Sequence, residues 1–169
     1  YKIFSDDSLS KIEIINKTKD FINSNFYLDW MAKYALGRNR KGLTQDKINE
    51  FSHIYSDFII ETYSELSASY RGEKSVLKQV LEIDDGLFIV STEIIRPTST
   101  RRNKVEYLIH RTEHEDTPYL VGDIIAEGIS ILNSHQAEFN SVISEEGIDE
   151  LILHLLERVD SIKAGRKEN

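Results

Sequence analysis

The chain has 169 residues, a length that fits one domain able to bury a core without disulfides or a structural metal. Hydrophobic residues make up 40% and charged residues 30%, and the absence of cysteine excludes disulfides and thiolate metal sites. The formal net charge of −8 argues against a nucleic-acid binder, because phosphate contacts require clustered Lys and Arg. We therefore expect a single domain over residues 1–169 with no nucleic-acid partner.

The N-terminal residues 1–10 show neither the basic start nor the apolar run of a signal peptide. No segment is long and apolar enough to predict a transmembrane span. The start at Tyr1, without Met, fits an exported protein whose signal has been removed, and fits an excised cytosolic domain equally well.

Apolar spacing predicts helices in the first part of the chain, over residues 7–24 and over residues 26–37, the second ending at Gly37. A longer helix begins after Thr44, a plausible N-cap, and ends at Gly72. Its apolar stripe recurs at steps of three and four and consists of Ile48, Phe51, Tyr55, Phe58, Ile59, Thr62, Tyr63, Leu66 and Tyr70.

A β region follows, with four strands predicted over residues 75–83, 87–95, 103–111 and 119–126. Asp84-Asp85-Gly86 predicts a hairpin between the first two strands, because Asp-Gly accepts positive φ, and Pro97 ends the second strand. After Gly128 two further helices are predicted, over residues 129–144 and 146–163, with Ser130 as an N-cap.

The order of helices, strands and helices predicts an α+β fold in which a four-stranded antiparallel sheet is covered by helices. We expect the long apolar stripe to cover one face of the sheet. Strands 87–95 and 119–126 are apolar on both faces, whereas a strand solvated on one face alternates more cleanly. Either helices cover both faces, or part of one face lines a cavity.

The search for catalytic chemistry finds no GxSxG, P-loop, GxGxxG or HExxH motif. Asp123 stands among apolar neighbours, where a raised pKa would suit a general base, although a structural carboxylate bonded to the backbone or to an Arg is favoured. Glu127 allows the same two interpretations. Arg101, Arg102 and Lys104 form a basic cluster that is either a phosphate or acidic-partner contact or, as favoured, the solvated end of a hairpin.

The five histidines do not predict a metal site. They are His53, His110, His114, His135 and His154. The HxxxH spacing of His110 and His114 would need one helix face, but these residues fall on a strand end and a loop. We expect residues 113–116 to form a solvated hairpin tip and His53 to face solvent.

Several short segments in a shared order resemble one protein family. They are Met31-Ala32-Lys33-Tyr34-Ala35-Leu36-Gly37-Arg38, Thr62-Tyr63 with Leu66 and Tyr70-Arg71-Gly72, Val90-Ser91-Thr92-Glu93-Ile94-Ile95 through Pro97, Val105-Glu106-Tyr107-Leu108, and Asp123-Ile124-Ile125-Ala126-Glu127-Gly128-Ile129-Ser130 followed by Phe139. Each segment is short, but their order and spacing from about residue 26 to residue 156 resemble the MlaC-like toluene-tolerance family.

Members of that family are periplasmic proteins of Gram-negative bacteria that carry phospholipid and help to keep the outer membrane asymmetric. The resemblance therefore implies a periplasmic phospholipid carrier that is not an enzyme and has no cofactor, with the bound phospholipid as its cargo. It implies three partners: phospholipid, an outer-membrane lipoprotein–porin complex, and an inner-membrane ABC transporter complex with its substrate-binding subunit.

The implied function calls for an apolar cavity between the sheet and the helices. We expect its lining to be Phe51, Tyr55, Phe58, Ile59, Thr62, Tyr63 and Leu66 from the long helix, Phe88, Val90, Ile94, Val105, Tyr107, Ile109, Val121 and Ile125 from the sheet, and Phe139 from the next helix. Where the family usually has an aromatic pair, this chain has Tyr119 and Gly122, which predicts a wider pocket near Gly122. The family's usual Asn-Tyr-Arg region is Ser134-His135-Gln136 here, without the Arg.

Two other functions stay open on the residues alone. One is a small α+β enzyme that uses Asp123 as acid or base on an apolar substrate. The other is an adaptor with a fully packed core that binds only protein partners. Periodicity does not separate a packed core from a pocket, and without the family resemblance a packed core is the default.

Overall fold

The structure is a computed structural model, and it describes residues 9–97, 99–113 and 117–167, with the side chain of Lys167 left out. The helical elements of the first part are α1 (Lys11–Asn25), α2 (Leu28–Leu36), a 3₁₀ segment (Gly37–Gly42) and α3 (Gln45–Ser67). The described strands are β1 (Lys74–Asp84), β2 (Leu87–Ile95), β3 (Arg102–Arg111), β4 (Tyr119–Ala126) and β5 (Ile129–Ser130). The chain continues with α4 (Ile131–Glu145) and α5 (Ile148–Lys167).

Polar side chains cap the N-termini of α1, α3 and α4. The backbone N–H of Lys47 donates to the Thr44 hydroxyl at 3.3 Å, and that of Asn133 donates to the Ser130 hydroxyl at 3.0 Å, which confirms both predicted caps. The predicted end of α3 at Gly72 is wrong, because the helix ends at Ser67. Tighter turns over residues 68–70 bond each N–H three residues back and close the helix earlier.

The sheet is an antiparallel meander with the order β1-β2-β3-β4-β5. Asp84 pairs with Leu87 across a two-residue turn in which Gly86 has a φ of 70°, which confirms the predicted hairpin. The expected number of four strands is wrong in the described ranges, because the two residues of β5 pair with the end of β4. A strand of two residues has no alternation that a sequence pattern could reveal.

A β-bulge at Gly122 decides which side chains of β4 share a face. Leu108 of β3 pairs with Asp123, but the next residue, Ile109, pairs with Val121, so that Gly122 has no partner. Val121 therefore lies on the same face as Ile109, and Ile124, which pairs with Tyr107, lies there too. We call this face the cavity face; β2 contributes Phe88, Val90, Thr92 and Ile94 to it, and β3 contributes Asn103, Val105, Tyr107 and Ile109.

The closed core of the protein lies among the helices. It includes Ile22, Met31, Leu36, Phe51, Tyr55, Ile59, Leu132, Phe139, Leu151 and Leu155, each at most 3% exposed. Helix α3 packs against α1, α2 and α5, whereas the sheet meets α1, α2 and α4 through β4. The expectation that the α3 stripe covers a face of the sheet is therefore wrong for most of its length, because most of that stripe is buried between helices. Tyr63, near the end of α3, does face the sheet, across a cavity that Tyr107 and Ile124 also line.

Candidate ligand cavity

Two cavities adjoin each other between the helices and the cavity face of the sheet. The first has a volume of about 430 Å³ and the second about 360 Å³, and both are lined by Phe21, Phe26 and Tyr107. The first is also lined by Tyr70, Glu73, Lys74, Ser75, Ile94 and Val121. The second is also lined by Thr18, Ile22, Tyr63, Ser67 and Ile124. Because they share three side chains, we treat them as one candidate site, the cavity pair.

The end of α1 forms one wall of the cavity pair because the chain that follows it is bonded to the sheet. Phe26 and Val121 form a parallel bridge, and the Tyr27 N–H donates to the Val121 carbonyl at 2.8 Å. Ile22 is 3% exposed, whereas Phe21 beside it is 49% exposed. Phe21 therefore lies where the cavity pair opens to solvent.

The inner wall carries tyrosine rings from two directions, Tyr63 from α3 and Tyr107 from β3. Burial raises the pKa of Tyr63 to about 12 and also raises the pKa of Tyr107. Both phenols are therefore uncharged at neutral pH. A wall of neutral aromatic and aliphatic groups suits an apolar ligand, since a charged group facing that ligand would have to lose its hydration.

The first cavity is charged at one end, where the chain leaves α3 and enters β1. The Tyr70 hydroxyl donates to the carbonyl of Glu73 at 2.8 Å, and Glu73, Lys74 and Ser75 follow one another along the wall. The Arg71 backbone N–H donates to the Glu73 carboxylate at 2.7 Å, and this bond, against the opposing effect of burial, holds the pKa of Glu73 below its ordinary value. The cavity thus grades from an apolar interior to an ionised end.

The predicted lining residues from the sheet lie mostly on the cavity face. The structure places four of the predicted residues along the cavities: Tyr63, Ile94, Tyr107 and Val121. Four more are half-buried on the same face of the sheet: Phe88, Val90, Val105 and Ile109. Ile125 is on the opposite face, paired with Glu106, and Ile124 lines the second cavity instead. The bulge at Gly122 causes this difference, because it shifts the alternation of β4 by one residue.

The remaining predicted lining residues belong to helices and lie elsewhere. Four are completely buried in the helical core: Phe51, Tyr55, Ile59 and Phe139. Phe58 and Thr62 line an open groove of about 550 Å³ between α3 and α5, whose other walls include Glu157 and Arg158. Leu66 is 60% exposed. The stripe on α3 is wide enough to face several neighbours, so its pattern did not separate these environments.

The contribution of α1 to the cavity pair was missed from the sequence. The lining residues outside the predicted set are Thr18, Phe21, Ile22, Phe26, Ser67, Tyr70, Glu73, Lys74, Ser75 and Ile124. Phe21 and Ile22 did belong to the apolar pattern of the first predicted helix. That pattern shows that one face of the helix packs against another element, but it does not show that this element is the sheet.

Gly122 does not widen the cavity, contrary to the expectation from the sequence. The place of its missing side chain is filled, because a Cβ there would lie 2.5 Å from the His110 ring and 3.2 Å from the Trp30 ring. The rings of His110 and Trp30 are in turn packed together with centroids 4.4 Å apart. Gly122 therefore makes room for an aromatic contact between α2 and the sheet.

The second departure from the family pattern, Ser134-His135-Gln136, serves helix packing. The Tyr55 hydroxyl and Nδ1 of His135 share a hydrogen bond of 2.9 Å, and the Gln136 side-chain amide donates to the Tyr34 carbonyl at 2.6 Å. Burial lowers the pKa of His135, which favours a neutral ring inside the core.

Asp123 serves as a structural anchor of the β4–α4 junction. It is 6% exposed, and its Oδ1 accepts from the N–H groups of Ile124 at 2.8 Å and Leu132 at 3.1 Å. Its Oδ2 accepts from the Ser130 hydroxyl at 2.5 Å. Glu127 is exposed and accepts from the Lys104 N–H at 2.7 Å. In this geometry both Asp123 oxygens are engaged by structural donors, which favours the structural interpretation over a base.

The basic cluster near residue 102 is neutralised by ion pairs. Arg101 lies 3.9 Å from Glu127, Arg102 lies 3.2 Å from Glu93, and Lys104 lies 2.9 Å from Glu106. None of the three cations lines the cavity pair. The cluster matches the favoured interpretation of a solvated hairpin end.

Within the part of the chain that the structure describes, one group of side chains could hold a metal ion, and it lies away from the cavity pair. Glu146, Glu150 and His154 each place one ligand atom within 4.8 Å of the others at the junction of α4 and α5. His53 is exposed, as predicted. The predicted hairpin tip covers residues 113–116, and His114 is the partner of His110 in the HxxxH spacing. Residues 114–116 lie outside the described residues.

The fold and the cavity pair define a class: an α+β domain with an apolar cavity between helices and one face of an antiparallel sheet. In the described ranges, no helix is both long enough and apolar enough to cross a membrane. A family model described as MlaC protein matches residues 2–157, so the chain belongs to the MlaC family.

Two known proteins extend this likeness. The intermembrane phospholipid transport system binding protein MlaC of Haemophilus influenzae is 21% identical over 152 residues, which cover 89% of this chain and 69% of that protein. A phospholipid-binding protein from Ralstonia solanacearum, solved in complex with a phospholipid, aligns with a TM-score of 0.75 and 18% identity over 91% of this chain and 84% of that chain. At that identity the structural likeness shows the shared fold.

Proposed function

We propose that this chain is a periplasmic phospholipid carrier, built as a single lipid-binding domain, and that the acyl chains of its cargo occupy the cavity pair. The observation that carries the proposal is the apolar space between α1, α3 and the cavity face of the sheet, with its neutral aromatic walls. The printed names of the two relatives, which concern phospholipid binding and transport, support it.

The energetics of lipid transfer explain why such a cavity is needed. Burying one methylene is worth about 0.8 kcal/mol, and a two-chain lipid has on the order of 30 of them. A free lipid therefore does not cross water at a useful rate, whereas an apolar cavity brings transfer close to balance. This task needs no bond to be made or broken, and we propose that the protein is not an enzyme and needs no cofactor.

We propose that the chain exchanges phospholipid with two membrane complexes and so helps to keep the outer membrane asymmetric. These would be an outer-membrane lipoprotein–porin complex and an inner-membrane ABC transporter with its substrate-binding subunit. Support comes from the membership of the MlaC family and from the Haemophilus influenzae relative, whose name assigns it to an intermembrane phospholipid transport system.

Native mass spectrometry of the protein purified from bacteria tests the proposal. We expect a mass that exceeds the chain by one or more phospholipids, identified after solvent extraction. A clean apo mass, together with no uptake from phospholipid vesicles, would contradict the carrier and favour an adaptor that binds only proteins.

Two neighbouring residues of β2 provide a matched pair of variants. Ile94 lines the first cavity and pairs with Asn103, whereas Ile95 pairs with Arg102 on the opposite face. Both side chains are half-buried. We expect Ile94→Glu to lose bound lipid and Ile95→Glu to keep it, because only the first places a carboxylate in the cavity. Equal lipid occupancy in the two folded variants would place the lipid elsewhere.

A further inference from the structure

Strand β1 forms one edge of the sheet, and in the described ranges no other segment pairs with its outer side. It is 11 residues long, about twice the usual strand length, and ten of these residues are exposed. An open edge presents unpaired N–H and C=O groups to which another strand can bond. Edge strands are usually kept short or covered, so the length and exposure of β1 indicate a surface for strand pairing.

Apolar side chains project from both faces of this edge. Leu77 and Val80 lie on the cavity face, and Val76 and Leu81 lie on the opposite face. Each of the four is between 41% and 62% exposed. The helices contact the sheet mainly through β4, at the other side of the sheet, so they leave this edge uncovered. The four side chains therefore stay in water unless another chain covers them.

A β-bulge near the middle of β1 limits which strand can pair with it. The pairing with β2 skips Lys78, between Leu77 and Gln79. In a regular strand Leu77 and Val80 would lie on opposite faces, because they are three residues apart; the bulge puts both on the cavity face. A bulge of this kind disfavours pairing with an unrelated, regular strand.

A second copy of β1 carries the same bulge and matches the first. When the two copies run antiparallel about a twofold axis at the bulge, Val76 lies opposite Leu81 of the second copy. Leu77 then lies opposite Val80 of the second copy, so that apolar side chains meet on both faces of the joint sheet. The contact is self-complementary, as a twofold interface requires.

The charges along β1 favour the same antiparallel orientation. Lys74 and Lys78 lie in its first half, and Glu82 and Asp84 lie at its end. An antiparallel copy brings the positive half of one strand beside the negative end of the other, whereas a parallel copy would bring like charges together. At the axis itself Lys78 is already paired with Glu93 at 3.5 Å, which limits repulsion between the two copies.

We propose that β1 is a homodimer interface, through which two copies of this chain join edge to edge into one antiparallel sheet. The inference does not depend on the proposed function. Because the twofold axis is perpendicular to the sheet, the two cavity faces lie on the same side of the joint sheet. A single strand pair buries less surface than a standard protein interface, so we expect a weak dimer with a Kd on the order of 10 μM.

Sedimentation equilibrium of the full chain over about 1 to 100 μM tests the dimer. We expect the mass to rise from that of the monomer to that of the dimer and no further, because a twofold contact closes on itself. Val76→Lys and Leu81→Glu should each raise the Kd about tenfold, since each sets a charge against an apolar side chain. The double variant Val76→Lys/Leu81→Glu should regain the wild-type Kd, because it sets opposite charges against each other.

Leu66→Glu is the matched control, because Leu66 is also exposed, at 60%, but lies outside β1. Its Kd should equal that of the wild type. A monomer at all concentrations, a mass that grows beyond the dimer, or an equal loss in this control would overturn the interface.

Introduced cysteines test the register, since the chain contains no cysteine of its own. Val76→Cys/Leu81→Cys should give a covalent dimer on mild oxidation. Within one chain these positions are about 16 Å apart along the strand, too far for a disulfide. Leu77→Cys/Leu81→Cys places the thiols on opposite faces and should cross-link much more slowly. Equal cross-linking in the two variants would overturn the proposed register.

Discussion

The helical core and the cavity pair are built from the same kinds of side chain. They differ because the backbone segments around the core lie closer together than those around the cavity pair. In the core, Phe51, Tyr55 and Phe139 are fully buried, with ring centroids 5.7 to 5.9 Å apart. At the cavity pair, aromatic residues such as Phe21 and Tyr107 line space instead of filling it. The difference arises because α3 packs against other helices, while helices meet the sheet through β4.

The largest expected effect comes from comparing one side-chain truncation in the core with one at the cavity pair. Phe139→Ala should lower the free energy of unfolding by about 3 to 5 kcal/mol, because it opens a cavity in a close-packed core. Phe21→Ala should cost less than about 1 kcal/mol, because this ring is 49% exposed and borders space already. Urea unfolding of both variants measures the two costs.

Both proteins must be stripped of lipid before that comparison, because a ligand bound to the folded state raises its apparent stability. Equal losses for Phe139→Ala and Phe21→Ala would show that the cavity pair is packed as tightly as the core. Phe21→Ala should also change lipid retention, which Phe139→Ala should affect only through unfolding.

The next effect concerns the ion cluster that fastens α1 and α5 to α3. Glu61 is 7% exposed and accepts from Nζ of Lys19 at 2.8 Å and from the Arg166 guanidinium. Glu61→Gln should lower the free energy of unfolding by about 2 kcal/mol at neutral pH, because it removes the buried carboxylate that pairs with Lys19 and Arg166. The loss stays moderate because both cations remain partly exposed to solvent. Glu65→Gln, whose carboxylate is 34% exposed, is the milder control.

The same cluster predicts a pH dependence. Burial raises the pKa of Glu61, but the hydrogen bonds from Lys19 and Arg166 outweigh it and hold the pKa below the ordinary value of 4.5. The stabilisation by ionised Glu61 is therefore complete above pH 4.5 and is lost as the pH falls through the folded-state pKa. Unfolding curves of wild type and Glu61→Gln should converge over that acidic range; a constant difference would contradict the assignment.

A smaller effect is expected at the contact between α2 and the sheet. Gly122→Ala should lower the free energy of unfolding by about 1 to 2 kcal/mol, because the new Cβ would lie 2.5 Å from the His110 ring and overlap it. In a His110→Ala background the same substitution should cost less, since the overlapping ring is gone. A double-mutant cycle by thermal unfolding measures the coupling, and additive costs would mean that the two positions do not share this space.

The smallest effect tests the outer edge of the α3 stripe. Leu66 belongs to the same apolar pattern as Tyr55, yet it is 60% exposed. Leu66→Ser should change the free energy of unfolding by less than about 0.5 kcal/mol and leave lipid occupancy unchanged. A clear loss of lipid would show that Leu66 contributes to the cavity lining, as the apolar pattern predicted.

Local signals predicted local structure well. Thr44 and Ser130 cap helices as expected, and Asp85-Gly86 forms the hairpin turn, because these roles depend on a residue and its immediate neighbours. The bulge at Gly122 was not predictable in this way. It depends on how β3 and β4 pair, and because of that pairing Ile124 lines the cavity instead of Ile125.

The amino-acid sequence by itself determined the α+β class, the antiparallel meander, the position of the long helix and the resemblance to the MlaC family. Tertiary structure alone decided which apolar residues fill the core and which line the cavity pair. A hydrophobic pattern records that a side chain avoids water, but not whether its neighbours come close enough to fill the space. In this chain Phe139 is packed on all sides and Tyr107 faces a cavity, although both were predicted to line it.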